Sequence, residues 1–348
     1  MRQICLVAAL TASIGLAQDG PYKVQKTVKA GGEGGFDYVT ADADGRRLYV
    51  ARSGNPGRVT VFNLDTLEKV GEIPNANRTH GAVVSPKSNH GFVSSNPVIL
   101  FDSKTLATIK TIDVKGNPDG YLYDSFNDRV YILSHSAPNA TVIDAADGSI
   151  VGTIDLGGAP EEAASDGKGT IYVDLEDKDS IAVVDAKTLT VKTRYDLAGK
   201  GGGCAGLALD AKNQVLFASC RNPQNMVILS AKDGKILDAL PIGRGSDGAA
   251  FNPATLEAFS SNGDGTLTVV KENSPTSFAV EQNVKTMVGA KTLTLDAKTN
   301  RILLIAAEYA APVAPPPGAQ PPAEKKGGRG PGRGPMVPDS FSIVVVGK

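Results

Sequence analysis

The chain has no tryptophan, and only three cysteines, three histidines and four methionines among 348 residues. Without tryptophan there can be no repeat built on a Trp-Asp dipeptide, nor units docked through tryptophan. Aromatic residues make up 5% of the chain, which leaves few rings to stack bases on. Charge of either sign is not in excess: 36 Lys and Arg face 37 Asp and Glu. A global electrostatic case for nucleic acid or an acidic surface is therefore missing. No run of useful helical length appears, and no glycine fingerprint stands between a strand and a helix, so nucleotide cofactors are not indicated. Serines are present without a nucleophile-elbow pattern, which leaves a serine hydrolase unsupported.

What is present begins with a leader. Arg2 precedes an apolar run from Ile4 to Leu16, followed by Ala17 and the polar Gln18. This pattern predicts a secretory signal peptide over residues 1–17, cleaved after Ala17 and too short to span a bilayer. No later run is long and apolar enough to cross one. The expected location is periplasmic or secreted, and the expected state a monomer.

The remainder is dense in turn formers, with 39 Gly and 21 Pro, and it repeats. Thr170–Leu197 holds three short runs of β-branched and aromatic residues separated by polar turns, which read as strands. A large residue marks the middle run of each copy: Tyr49, Phe92, Tyr131, Tyr172, Phe217, Phe259 and Leu303, spaced 39 to 45 residues apart. Four strands per unit at that period predict the blades of a β-propeller. Seven inner, seven second and seven third strands can be counted, but only six outer strands follow them. The orphan N-terminal run YKVQKTVKA (22–30) supplies the seventh. The prediction is an all-β, seven-bladed propeller, a single domain over 18–348, closed by the N-terminal strand completing the last blade.

The repeat as it stands in IYVDLEDKDSIAVVDAKTLTVKTRYDL, with its weaker copies LYVARSGNPGRVTVFNLDTLEKVGEI and VYILSHSAPNATVIDAADGSIVGTIDL, resembles the YVTN-type, YncE-like family of exported bacterial β-propellers. The resemblance covers most of the chain and implies the fold. It carries no catalytic signature. It also implies single-stranded nucleic acid as a partner to consider, which the shortage of aromatics outside the core disfavours.

One segment breaks the pattern. Residues 310–339 form a Pro/Gly-rich insertion with Lys325, Lys326, Arg329 and Arg333. Such a composition buries too little to offset the entropy of ordering, and disorder is expected across it, with a basic tether as its functional alternative.

In an up-and-down blade, the loop entering the inner strand and the loop between second and third strands emerge on one face. That geometry nominates Asp37, His80, Asp119, Glu161, Glu162, Asp247 and Lys291 for the mouth of the central channel, and Arg52, His135 and Arg221 for its rim. Convergent loops of this kind make a concave binding site. Within the set, His80, Asp119, Glu161 and Asp247 form a candidate ring for a divalent metal ion such as calcium. Hydration of the same polar groups is the plain alternative. Cys204 and Cys220 end neighbouring strands and fall almost opposite each other if Asp210 faces Val215, which predicts a cross-strand disulfide.

Two functional readings follow. The first is an exported, non-catalytic binding scaffold of the cell envelope that takes a protein, polymer or small-molecule ligand on its funnel face. The second is a metal-dependent ester or lactone hydrolase, similar to lactonase-type propellers in architecture only, with a metal ion activating water at the channel mouth.

Overall fold

A computed structural model describes residues 20–137, 139–311 and 334–348. Among them are twenty-eight strands and no helix. They form seven four-stranded antiparallel sheets, as the repeat predicts. In blades 1 to 6 each sheet runs in chain order from inner to outer strand. Their inner strands are Gly35–Asp42, Gly81–Ser85, Pro118–Asp124, Pro160–Ser165, Cys204–Asp210 and Ser246–Asn252.

Blade 7 is assembled from both ends of the chain. Leu293–Asp296, Arg301–Ala306 and Ser342–Gly347 supply its inner three strands, and Lys23–Lys29 pairs outside them, with Thr27 opposite Val344. Pairing the two ends removes the open edge that a seven-sheet ring would otherwise expose. The closure is locked just before the strand. Tyr22 is 3% exposed, and its backbone N–H donates to Gln282 Oε1 at 2.9 Å while Gln282 Nε2 donates to its carbonyl at 2.8 Å. Its ring stands edge-on to Phe259, centroids 5.5 Å apart.

The core is not one mass but seven seams. Each buried cluster draws side chains from two adjacent blades, around the ring from blades 7 and 1 to blades 6 and 7. The repeat's marker residues explain this. Tyr49, Phe92, Tyr131, Tyr172, Phe217, Phe259 and Leu303 are each at most 3% exposed, and each sits in the seam its blade makes with the next. Burying one such side chain contributes about 1.5–3 kcal/mol. The sequence period is thus the period of the seam.

Turns between third and outer strands use local side-chain caps. Asp102 Oδ1 accepts the N–H groups of Lys104 and Thr105, and Asp185 Oδ1 those of Lys187 and Thr188. The turn then needs a left-handed residue, which is Leu at 67, 106 and 189 but Gly at 148 and 234. Leu67 and Leu106 are buried, so apolar burial offsets the backbone cost of about 1–2 kcal/mol.

Cys204 and Cys220 are disulfide-bonded. Asp210 does face Val215, and a bulge between Cys204 and Leu207 absorbs the remaining register difference, setting the two cysteines directly opposite. The Pro/Gly insertion departs from expectation at its ends. Tyr309 bridges Met336, Ala310 N–H donates to Pro335 O, and Val337 N–H to Glu308 O. These bonds form a short stem, so residues 310 and 334–339 are not the disordered chain expected of them. Residues 312–333 of the insertion, and residues 1–19 with the expected signal peptide, lie outside the described residues.

Candidate functional site

Seven equivalent positions, each three residues before the one that faces its blade's marker, open the inner strands at one end of the channel. They are Asp37, His80, Asp119, Glu161, Ala205, Asp247 and Lys291. In blades 1, 3, 4, 5 and 6 a β-bulge lies at this point, between Phe36 and Val39, Pro118 and Tyr121, Pro160 and Ala163, Cys204 and Leu207, and Ser246 and Ala249. Bulges re-aim side chains, and here they accompany four of the carboxylates at the mouth. A second tier comes from the residues four beyond the marker in blades 3, 4 and 5: His135, Glu176 and Arg221.

The two tiers interlock into a closed ring with a contribution from every blade. His80 Nδ1 lies 2.7 Å from Asp37 Oδ2 and 3.1 Å from Asp119 Oδ1. His135 Nε2 stands 3.4 Å from Asp119 Oδ2 and 3.8 Å from Glu161 Oε1. The Glu176 carboxylate neighbours Glu161 closely enough to raise its pKa, and Glu176 Oε1 is 2.7 Å from Arg221 Nη1. Arg221 Nη2 and Lys291 Nζ both bond Asp247, and Lys291 returns to Asp37 Oδ1 at 4.0 Å.

Electrostatics divide the ring. Burial opposes charge on His80, but hydrogen bonds to Asp119 and Asp37 outweigh it and raise its pKa to about 10. Burial together with the neighbouring Glu176 and Asp119 carboxylates raises the pKa of Glu161, which favours its protonated form. Beneath the ring lies a cavity of about 180 Å³ lined by Tyr38, Thr40, Tyr121, Glu161, Glu162 and Thr294, among others. Tyr121 OH and Thr40 Oγ1 are 2.6 Å apart, and Tyr38 OH donates toward Glu161. Glu162 projects into this cavity, where its Oε2 accepts the N–H groups of Leu207 at 2.7 Å and Ala249 at 3.3 Å. It therefore ties blade 4 to blades 5 and 6, and burial pushes its pKa up to about 8.

Two expectations need correction. Asp247 does not join His80, Asp119 and Glu161. It is held by two cations on the far arc, and the convergent ligand groups are Asp37, His80 and Asp119, and Asp119, His135 and Glu161. Arg52 is not on the rim. It lies one residue short of the position held by His135, Glu176 and Arg221, and strand alternation turns it inward. Its equivalents Leu175, Cys220 and Ala306 are buried, and Arg52 is itself 1% exposed. The guanidinium donates to the carbonyls of Gly31, Gly32, Glu33 and Gly34 and covers the Phe341 ring at 3.9 Å. Burial, with Arg58 nearby, pushes its pKa down to about 10. Glu176 and Tyr38 were missed from sequence. Glu176 was legible from its register with His135 and Arg221.

No protein-family profile and no curated protein sequence matches the chain. Among solved structures, a chain of the "Crystal Structure of Mitotic Checkpoint Complex" aligns with a TM-score of 0.68 at 11% identity, over 87% of this chain and 95% of that one. At that identity the likeness is one of fold alone. The protein is of the seven-bladed β-propeller class, a fold that generally serves as a binding and interaction scaffold. No helix among the described residues is long and apolar enough to cross a membrane.

Proposed function

We propose that this protein is an exported binding scaffold of the cell envelope whose ligand or partner docks at the channel mouth. One observation carries the reading: all seven blades send a side chain into a single closed ring at one end of the channel, above a polar cavity. Side chains drawn from every repeat converge where a propeller binds. The signal-peptide pattern and the resemblance to YncE-like propellers support export.

Site-specific photo-cross-linking in native cells tests this. Arg78 and Lys178 are exposed on entry and second-to-third loops at the mouth, whereas Val70 and Ile109 are exposed on outer strands. A photoreactive residue at 78 or 178 is expected to capture a discrete adduct, in a fraction where the N-terminus begins at Gln18. Adducts confined to positions 70 and 109 would move the partner to the outer wall and end the reading.

The second reading, a metal-dependent ester or lactone hydrolase, is favoured by the two imidazole–carboxylate groups at the mouth. Its requirement is a bound divalent ion with an open position for water.

A further inference from the structure

Asp119 presents its two oxygens to two different imidazoles: Oδ1 to His80 Nδ1 at 3.1 Å and Oδ2 to His135 Nε2 at 3.4 Å. Each imidazole has a second carboxylate beside it, Asp37 for His80 at 2.7 Å and Glu161 for His135 at 3.8 Å. The result is two triads that share one residue, and within each triad the ligand atoms lie within 4.8 Å of one another. A metal held at about 2.0–2.2 Å by nitrogen and oxygen ligands sets those ligands roughly 3–3.5 Å apart. The two spacings on either side of Asp119, 3.1 and 3.4 Å, fall within that range, and the outer pairs at 2.7 and 3.8 Å lie just beyond its two ends.

Charge points the same way. The ring's two permanent cations, Arg221 and Lys291, both bond Asp247 on the far arc. Asp119 and Glu161 have imidazoles as their directly paired ring partners, with Lys291 and Arg221 acting on them as nearby charges, and Asp37 lies 4.0 Å from Lys291. A carboxylate whose two oxygens face separate nitrogen ligands has the layout of a bridge between two ions.

We propose that the channel mouth binds a pair of divalent first-row transition-metal ions bridged by Asp119, one between Asp37 and His80 and the other between His135 and Glu161. One imidazole per ion suits zinc or manganese better than calcium, whose sites are built from oxygen. The inference deepens the assignment of the mouth as the binding end, and the two fail separately: a protein that takes up no metal can still cross-link a partner through positions 78 and 178.

The test is metal stoichiometry on untagged full-length protein, stripped with chelator and equilibrated with Zn²⁺ or Mn²⁺ at neutral pH. Wild type is expected to retain two ions per chain, His80→Ala and His135→Ala one each, and Asp119→Asn none. His90 begins the strand His90–Ser94 at the opposite end of its blade, bonded to Ala145 O, and His90→Ala is expected to retain both. A readout that needs no variant is the electron paramagnetic resonance spectrum of the Mn²⁺ form, expected to show exchange coupling between two ions. Zero or one ion in wild type, an uncoupled manganese spectrum, or stoichiometry unchanged in both His80→Ala and His135→Ala would overturn the proposal.

Discussion

Replacing Glu162 with glutamine isolates the charge of one carboxyl from its hydrogen bonds. In the native protein Glu162 Oε2 accepts two backbone N–H groups, from Leu207 and Ala249, and a glutamine oxygen can accept the same pair. The variant therefore mimics the protonated acid. Burial, reinforced by the nearby Asp174 carboxylate, raises the Glu162 pKa from 4.5 to about 8. A carboxyl whose folded pKa is raised contributes fully below its unfolded pKa, and the contribution is lost as pH climbs through the folded value. Each pH unit within that window costs about 1.4 kcal/mol. The whole window would cost about 5 kcal/mol if the group were sealed from water. Glu162 lines the channel cavity, where solvent screening reduces this to ~2–3 kcal/mol. Urea denaturation at pH 5, 6, 7 and 8 measures it. Glu162→Gln should gain on wild type as pH rises, nearly all of the gain accruing by pH 8. Parallel profiles for the two proteins would refute the placement of a proton on Glu162.

The disulfide closes a loop of sequence separation 16, so Cys204→Ala/Cys220→Ala should lose about 3 kcal/mol by chain entropy; an unchanged guanidinium midpoint would contradict this. Arg52→Met leaves the carbonyls of Gly31, Gly32 and Gly34 without their guanidinium donor, while Glu33 O keeps Arg58, at a cost on the order of 3 kcal/mol, and should expose that loop to limited proteolysis. Tyr22→Ala removes the buried ring from the closure while leaving its two backbone bonds to Gln282, and should cost about 3–5 kcal/mol, read as a lower melting temperature; a loss under ~1 kcal/mol would mean the closure holds without the ring. In chelator-treated protein the His80 imidazole, with its pKa raised to about 10, should show imidazolium resonances in an NMR titration at pH 8. Titration near the ordinary value of 6.5 would contradict the Asp37–His80–Asp119 contact.

Much of the architecture was legible because it is written in short-range pattern. Strand alternation and a marker every 39 to 45 residues reflect the seams between blades, and each seam repeats the same demand for one large buried side chain. The missing seventh outer strand was a counting problem with one available answer. Cysteine pairing followed from a hairpin register that local turn residues fix. The mouth was legible only as a list of positions. Asp37, His80, Asp119, Glu161, Glu162, Asp247 and Lys291 do line the channel, as blade geometry requires. Their pairings were hidden, because the partners come from neighbouring blades and no local pattern encodes which neighbour each side chain meets. Arg52 shows how fine the limit is, since a shift of one residue along a strand carries a side chain from the rim into the interior.

The sequence by itself determined the number of blades, the order of their strands, the closure of the ring and the disulfide, since each follows from periodicity, counting or register within a hairpin. Only the tertiary structure decided the chemistry of the mouth. Asp247 is neutralised there by Arg221 and Lys291, while Asp119 is left between His80 and His135. The physical reason is that Coulomb energies and hydrogen bonds depend on distances of a few ångströms between atoms, and those distances are set by how seven sheets pack around a common axis.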